Sequence, residues 1–111
     1  MARKKEQVTP WDEMHASVCK ALTHPVRIQI LGLLRQGDLP VGEIARATGR
    51  SQPNVSQHLN VMRTKGFVTA RRSGSNVYYG LTDVRLVRAL DLIREAMATR
   101  ESRPAASRTR R

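Results

Sequence analysis

The chain has 111 residues and a formal net charge of +11, with four aromatic residues and one cysteine. That length suits one domain with a modest core and is too short for two. A lone Cys19 excludes an intrachain disulfide and an all-cysteine zinc site and fits a reducing cytosol, and no apolar run approaches a membrane span or a secretory signal.

The charge is unevenly placed. Residues 1–7 carry +2 and residues 100–111 carry +4, while residues 44–82 alone carry +6 through Arg46, Arg50, Arg63, Lys65, Arg71 and Arg72 with no acidic residue among them. Such an acid-free stretch is what a phosphate-facing surface requires; a merely solubilising basic surface is the plain alternative. Both ends read as solvated: a flexible basic arm over residues 1–10 and a disordered basic tail over residues 100–111, flanking a folded unit over residues 11–99.

A first helix is expected from about Trp11 to Leu22, with Trp11, Met14, Val18, Ala21 and Leu22 on one stripe. The second is entered at Thr23-His24-Pro25, where proline suits a first helical position and either Thr23 or His24 can cap. It turns Val26, Ile30, Leu33 and Leu34 inward and stops at Gly37. A short third helix, about Val41 to Thr48, places Val41, Ile44, Ala45 and Thr48 inward and ends at Gly49.

Ser51 is a natural N-cap for a fourth helix, with Pro53 tolerated in its first turn and Val55, Leu59 and Met62 forming a buried stripe up to Lys65-Gly66. At about 100° per residue, Gln57, Asn60 and Thr64 point away from that stripe, Ser56 and Asn54 flank them, and His58 leans toward the core edge. The third helix, the turn at 48–51 and the fourth helix together read as a helix-turn-helix. Residues 67–72 and 76–81 are β-prone and joined by Ser73-Gly74-Ser75, which predicts a hairpin, the wing. A fifth helix follows from about Asp83, with Leu86, Leu90, Ile93 and Met97 as its stripe and Val87 widening it. The fold class is therefore mainly α with a small β-hairpin, a winged helix-turn-helix with the order of four helices, two strands and a last helix.

Amides and hydroxyls on a helix can pair with base edges, so Gln52, Ser56, Gln57 and Asn60 are candidate readers of DNA sequence. Asn54, Arg50 and Arg63 are candidates for phosphates, and Arg71, Arg72, Ser73, Ser75 and Asn76 of the wing for the flanking backbone or minor groove. Taken singly, each is equally a solvated polar side chain. Their clustering beside an acid-free surface favours double-stranded DNA as the partner.

The segments "LTHPVRIQILGLL", "VGEIARATGRSQPNVSQHLNVMRTKGFV" and "RRSGSNVYYGLTD" resemble the ArsR/SmtB family of winged-helix bacterial repressors, over roughly Ala16 to Met97. The resemblance implies a cytoplasmic, nucleoid-bound homodimer whose two recognition helices enter successive major grooves of an imperfect inverted repeat. The residues point the same way. The stripes of the first and fifth helices exceed what one short core covers, which makes Trp11, Met14, Val18, Leu86, Leu90, Ile93 and Met97 the expected dimer face; packing of both stripes inside one monomer is the alternative.

Metal sensing is common in that family. The Cys-x-Cys that the resemblance would place at the third helix is replaced here by Pro40 and Gly42, and of the zinc-type set on the last helix only Asp83 remains, with Arg85, Ala96 and Thr99 at the other positions. No cofactor is expected to be required. Asp12, His15 and Cys19 at i, i+3 and i+7 form a conceivable non-standard set for nickel, zinc or cobalt, but nothing fixes a fourth ligand, which favours the plainer reading as the polar edge of an amphipathic helix; a redox role for Cys19 is a further alternative. No nucleophile, base and orienting group can be assembled, so no enzyme is expected. A sequence-tolerant architectural nucleic-acid binder is a further alternative, although Trp11, Phe67, Tyr78 and Tyr79 supply few stacking platforms.

Overall fold

The computed structural model describes residues 6–101. Helix α1 spans Pro10–Leu22. Its start is fixed by a reciprocal cap: Thr9 Oγ1 accepts the Asp12 N–H at 3.1 Å while the Asp12 carboxylate accepts the Thr9 N–H at 2.9 Å. Helix α2 covers Pro25–Leu33, and His24 is its cap, with Nδ1 accepting the Val26 N–H at 3.2 Å. A 3-10 turn over Leu34–Gln36 then leads to Gly37.

Strand β1, Leu39–Pro40, was not expected. It pairs antiparallel with Tyr79 and Tyr78 and makes the wing a three-stranded sheet of order β1-β3-β2. Two residues are too few to show alternation, and a proline argues against a strand except at an edge, where this one lies.

Helix α3, Val41–Thr48, ends at Gly49, whose φ of +71° is left-handed backbone that suits glycine. Helix α4 runs over Gln52–Thr64 behind Ser51, whose hydroxyl accepts the Asn54 N–H at 3.2 Å. At its far end the Phe67 N–H donates to the Met62 carbonyl at 2.8 Å and the Gly66 N–H to Arg63, satisfying carbonyls that the helix leaves open. Strands β2 (Val68–Ser73) and β3 (Asn76–Leu81) pair from Val68↔Leu81 to Ser73↔Asn76, so the turn is the two residues Gly74-Ser75. Helix α5 is Arg85–Glu101. Asp83 precedes it as a cap, accepting the Arg85 N–H at 2.9 Å. The helix includes Arg100 and Glu101, so it passes the expected boundary at residue 99; residues 102–111 of the basic tail lie outside the described residues, as do residues 1–5.

The core is one cluster. Ile30, Ile44, Val55 and Leu59 are fully enclosed where α2, α3 and α4 meet, Met62, Phe67 and Val68 close it toward the sheet, and Ala21 and Leu22 close it toward α1. Two details depart from the stripes expected. Leu31 is fully buried and Leu33 only half-buried, because α2 is flanked by α3, α4 and α5 and its buried arc is wider than one stripe. On α5, Val87 is the residue driven into the core, while Leu86 and Leu90 pack half-buried at its edge. A two-pronged ion pair, Arg35 to Asp91 at 2.7 and 2.9 Å, fastens α5 to the turn after α2 and holds the Asp91 carboxyl below its ordinary pKa.

Candidate nucleic-acid interface

Burial on α4 follows the helical period. Val55, Leu59 and Met62 are wholly enclosed, whereas Gln52, Gln57, Asn60, Arg63 and Thr64 are exposed, and Asn54 and Ser56 are half-buried at the edge. Of the expected readers, Gln52, Gln57 and Asn60 therefore lie on the outer side of the helix, and Ser56 at its edge. Gln52, at its start, has its amide nitrogen beside Gly42 of α3. Two arginines reach amides on the same surface: Arg50 donates to Asn54 Oδ1 at 3.5 Å and Arg63 to Asn60 Oδ1 at 3.4 Å. Bonds this long constrain weakly and are readily exchanged for a phosphate or a base. Arg71, Arg72, Ser73, Ser75 and Asn76 are exposed on the wing.

What the sequence did not disclose is the support beneath α4. Arg27 of α2 donates through Nε to His58 Nδ1 at 3.2 Å and through a terminal nitrogen to the Ala21 carbonyl at 3.0 Å, and the His58 ring lies 4.5 Å from that of His24. His58 was expected at the core edge, and there it is, half-buried. Nothing local in the sequence marks Arg27 as its partner. Partial burial, followed by the nearby His24, Arg27 and Arg50, pushes the His58 pKa below its usual 6.5.

The unfolded chain consequently takes up that proton first as pH falls, so the stability contributed by neutral His58 is complete above about pH 6.5 and lost as pH drops through the depressed folded value. Urea midpoints measured from pH 7 to 5 should fall, and fall less steeply in His58→Gln. Equal slopes in the two proteins would remove His58 as the cause.

The expected dimer face divides into two parts. Val18, Leu86 and Leu90 pack against the core, while Trp11 (64% exposed), Met14 (51%), Ile93 (61%) and Met97 (47%) stand in solvent, joined by Leu92 (63%), which the expected stripe omitted. Between α1 and α5 lies a hollow of about 290 Å³ bordered by Trp11, Met14, Val18, Leu22 and Leu86. The conceivable metal set is not gathered: Asp12 is engaged by Thr9, His15 lies edge-on to Trp11, and among the described residues no three His, Cys, Asp or Glu side chains are placed to hold an ion. Cys19 is exposed. Asp83 is occupied by the Arg85 guanidinium at 2.7 Å, which with the backbone bond brings its pKa to about 2.

The sequence pattern of the bacterial regulatory protein arsR family matches residues 24–70, the segment that supplies α2, β1, α3, α4 and the start of β2. The biofilm growth-associated repressor of Xylella fastidiosa is 34% identical over 86 residues, 78% of this chain and 75% of the relative. The chain belongs to the ArsR family. Two solved structures share the fold of this ArsR-family regulator. Rv0081 of Mycobacterium tuberculosis superposes with a TM-score of 0.75 at 36% identity, covering 82% of this chain and 92% of that one. The homodimeric winged helix-turn-helix DNA-binding domain Mb0332 of Mycobacterium bovis gives 0.73 at 33% identity, covering 93% and 94%. The expected winged helix-turn-helix is thus the fold of this ArsR-family chain, and its relatives are transcriptional regulators. No helix among the described residues is long and apolar enough to cross a membrane.

Proposed function

We propose that the protein is a homodimeric transcriptional repressor acting on the chromosome in the bacterial cytoplasm, and that it binds an inverted-repeat operator through α4 and the wing. The observation that carries this reading is the clean division of α4 into a wholly buried Val55-Leu59-Met62 side and an exposed amide-rich side, set within a stretch that holds six basic residues and no acid. A helix gripped along one side can present the other to a major groove without moving. Arg50 and Arg63, near the two ends of α4, are placed for phosphates, and Gln57 and Asn60 between them for base edges. All of these groups belong to the chain itself, so DNA binding is proposed to need no cofactor. The exposed Trp11, Met14, Ile93 and Met97 supply the pairing face, and the repressor named among the relatives supports the sign of regulation.

The test is a pair of titrations, with the operator duplex and with a scrambled duplex of equal length. Gln57→Ala should weaken operator binding by about 1–3 kcal/mol per half-site and leave scrambled-duplex binding nearly unchanged. Equal affinity of the wild type for both duplexes would point instead to a sequence-tolerant binder.

A further inference from the structure

The wing carries two adjacent arginines, and their surroundings differ. The pairing register puts Arg71 opposite Tyr78 and Thr69 opposite Gly80, on the sheet face away from the core, whereas Arg72 is opposite Val77 on the face shared with Ala70 and Tyr79. Tyr79 and Leu81 of that second face pack against the core, so Arg72 projects on the side where α4 lies, one residue from the turn. Among the described residues the Arg72 guanidinium has no hydrogen-bond or ion-pair partner.

Arg71 is already engaged. One guanidinium nitrogen lies 3.4 Å from Asp38 Oδ2, and the group sits 5.1 Å over the ring of Tyr78. Asp38 in turn is seated against Gly80, where an added Cβ would meet its carboxylate and push it aside. From its place just before β1, Asp38 thus touches β3 and grips β2, spanning the whole sheet. Asp38 and Arg71 are both exposed, and a surface pair of this length contributes at most about 1 kcal/mol to stability. The pair therefore acts on where a charge points more than on holding the fold together.

Building on the DNA-binding reading above, we propose that Asp38 is a positioning residue of the wing: it retains Arg71 on the outer face of the sheet as a strut, leaving Arg72 as the arginine that meets the DNA backbone. An acidic residue at this point keeps Arg71 from capturing phosphates at random, which would raise affinity for any duplex and dilute sequence preference.

The experiment measures affinity for operator and scrambled duplexes across a series of potassium chloride concentrations. Each phosphate contact contributes about 0.9 to the slope of log affinity against log salt, hence about 1.8 for the two wings of a dimer. Arg72→Ala should reduce the slope by that amount, and Arg71→Ala should leave both the slope and the preference for operator over scrambled DNA unchanged. Asp38→Asn should steepen the slope by a similar amount and raise scrambled-duplex affinity, and this gain should vanish when Arg71→Ala is combined with it. Gly80→Ala provides a second route, because it displaces the carboxylate without altering any charge, and it should steepen the slope as Asp38→Asn does.

Thermal melts confirm that each variant is folded before titration. The proposal is overturned if Arg71→Ala flattens the slope as much as Arg72→Ala, or if Asp38→Asn and Gly80→Ala both leave it at the wild-type value. A failure of the wider reading looks different: Gln57→Ala would then also be without effect on the operator.

Discussion

Leu59→Ala is expected to lower the free energy of unfolding by about 2–5 kcal/mol, the range for truncating a fully buried leucine. Leu59 is wholly enclosed in the middle of α4, in the core shared with α2 and α3. The loss combines the transfer energy of the removed carbons with a cavity that the surrounding helices cannot collapse into without moving the exposed side of α4. Gln57→Ala, two residues earlier and exposed, should change stability by less than about 0.5 kcal/mol. Urea unfolding of the two variants therefore separates the scaffold from the reading surface on a single helix. If Leu59→Ala were as mild as Gln57→Ala, the division of α4 into inner and outer sides would be wrong, and the assignment of readers would go with it.

That division is legible in the sequence, because α4 carries its own signals: a serine cap, a proline in its first turn, an unbroken i, i+4, i+7 apolar stripe and a glycine beyond its end. The same holds for α3 and for the hairpin, whose signals are all local. What could not be read depends on distant partners. Strand β1 exists only because Leu39 and Pro40 lie beside Tyr79 and Tyr78, nearly forty residues on. Leu31 and Val87 are buried because three elements surround α2 and because α5 meets the core at its near end only. The Arg27–His58 and Asp38–Arg71 contacts join residues 31 and 33 positions apart and leave no periodic trace. The Thr9–Asp12 cap is the exception: a threonine three residues before an aspartate, ahead of an apolar stripe, was visible in the sequence and would have moved the start of α1 back to Pro10.

The start of α5 also explains why its stripe serves two purposes. Val87, Leu86 and Leu90 anchor its first turns to the core and Arg35–Asp91 fixes its azimuth, so the later turns leave the domain with Leu92, Ile93 and Met97 uncovered. Trp11 and Met14 on α1 are uncovered as well, at the rim of the hollow between the two helices. Isolated exposed apolar side chains are ordinary, but five of them on two neighbouring helices form a patch of the kind that subunits cover. A monomer could not have hidden it by packing the two stripes together, since α1 and α5 already share Val18 and Leu86 with the core and these residues are turned away from it.

Ile93→Glu is expected to abolish the dimer while leaving the protomer intact. The side chain is 61% exposed in the single chain, so little of the domain's own packing is lost and a melt extrapolated to low concentration should shift only slightly. In a two-fold interface the substitution acts twice, and each carboxylate buried without a partner costs several kcal/mol even after relaxation, so the dimer should weaken by about a hundredfold or more. Operator binding should then fall steeply. Two half-sites held by one dimer gain about 10²–10⁴ over a single half-site through effective concentration alone, and a monomer forfeits that gain. Sedimentation velocity gives the first effect and an operator titration the second. Gln57→Ala would instead keep the dimer and lose only the reading of bases, so the two variants distinguish pairing from recognition. An Ile93→Glu protein that still sediments as a dimer would show that the subunits meet elsewhere, and the α1–α5 face would need a different occupant.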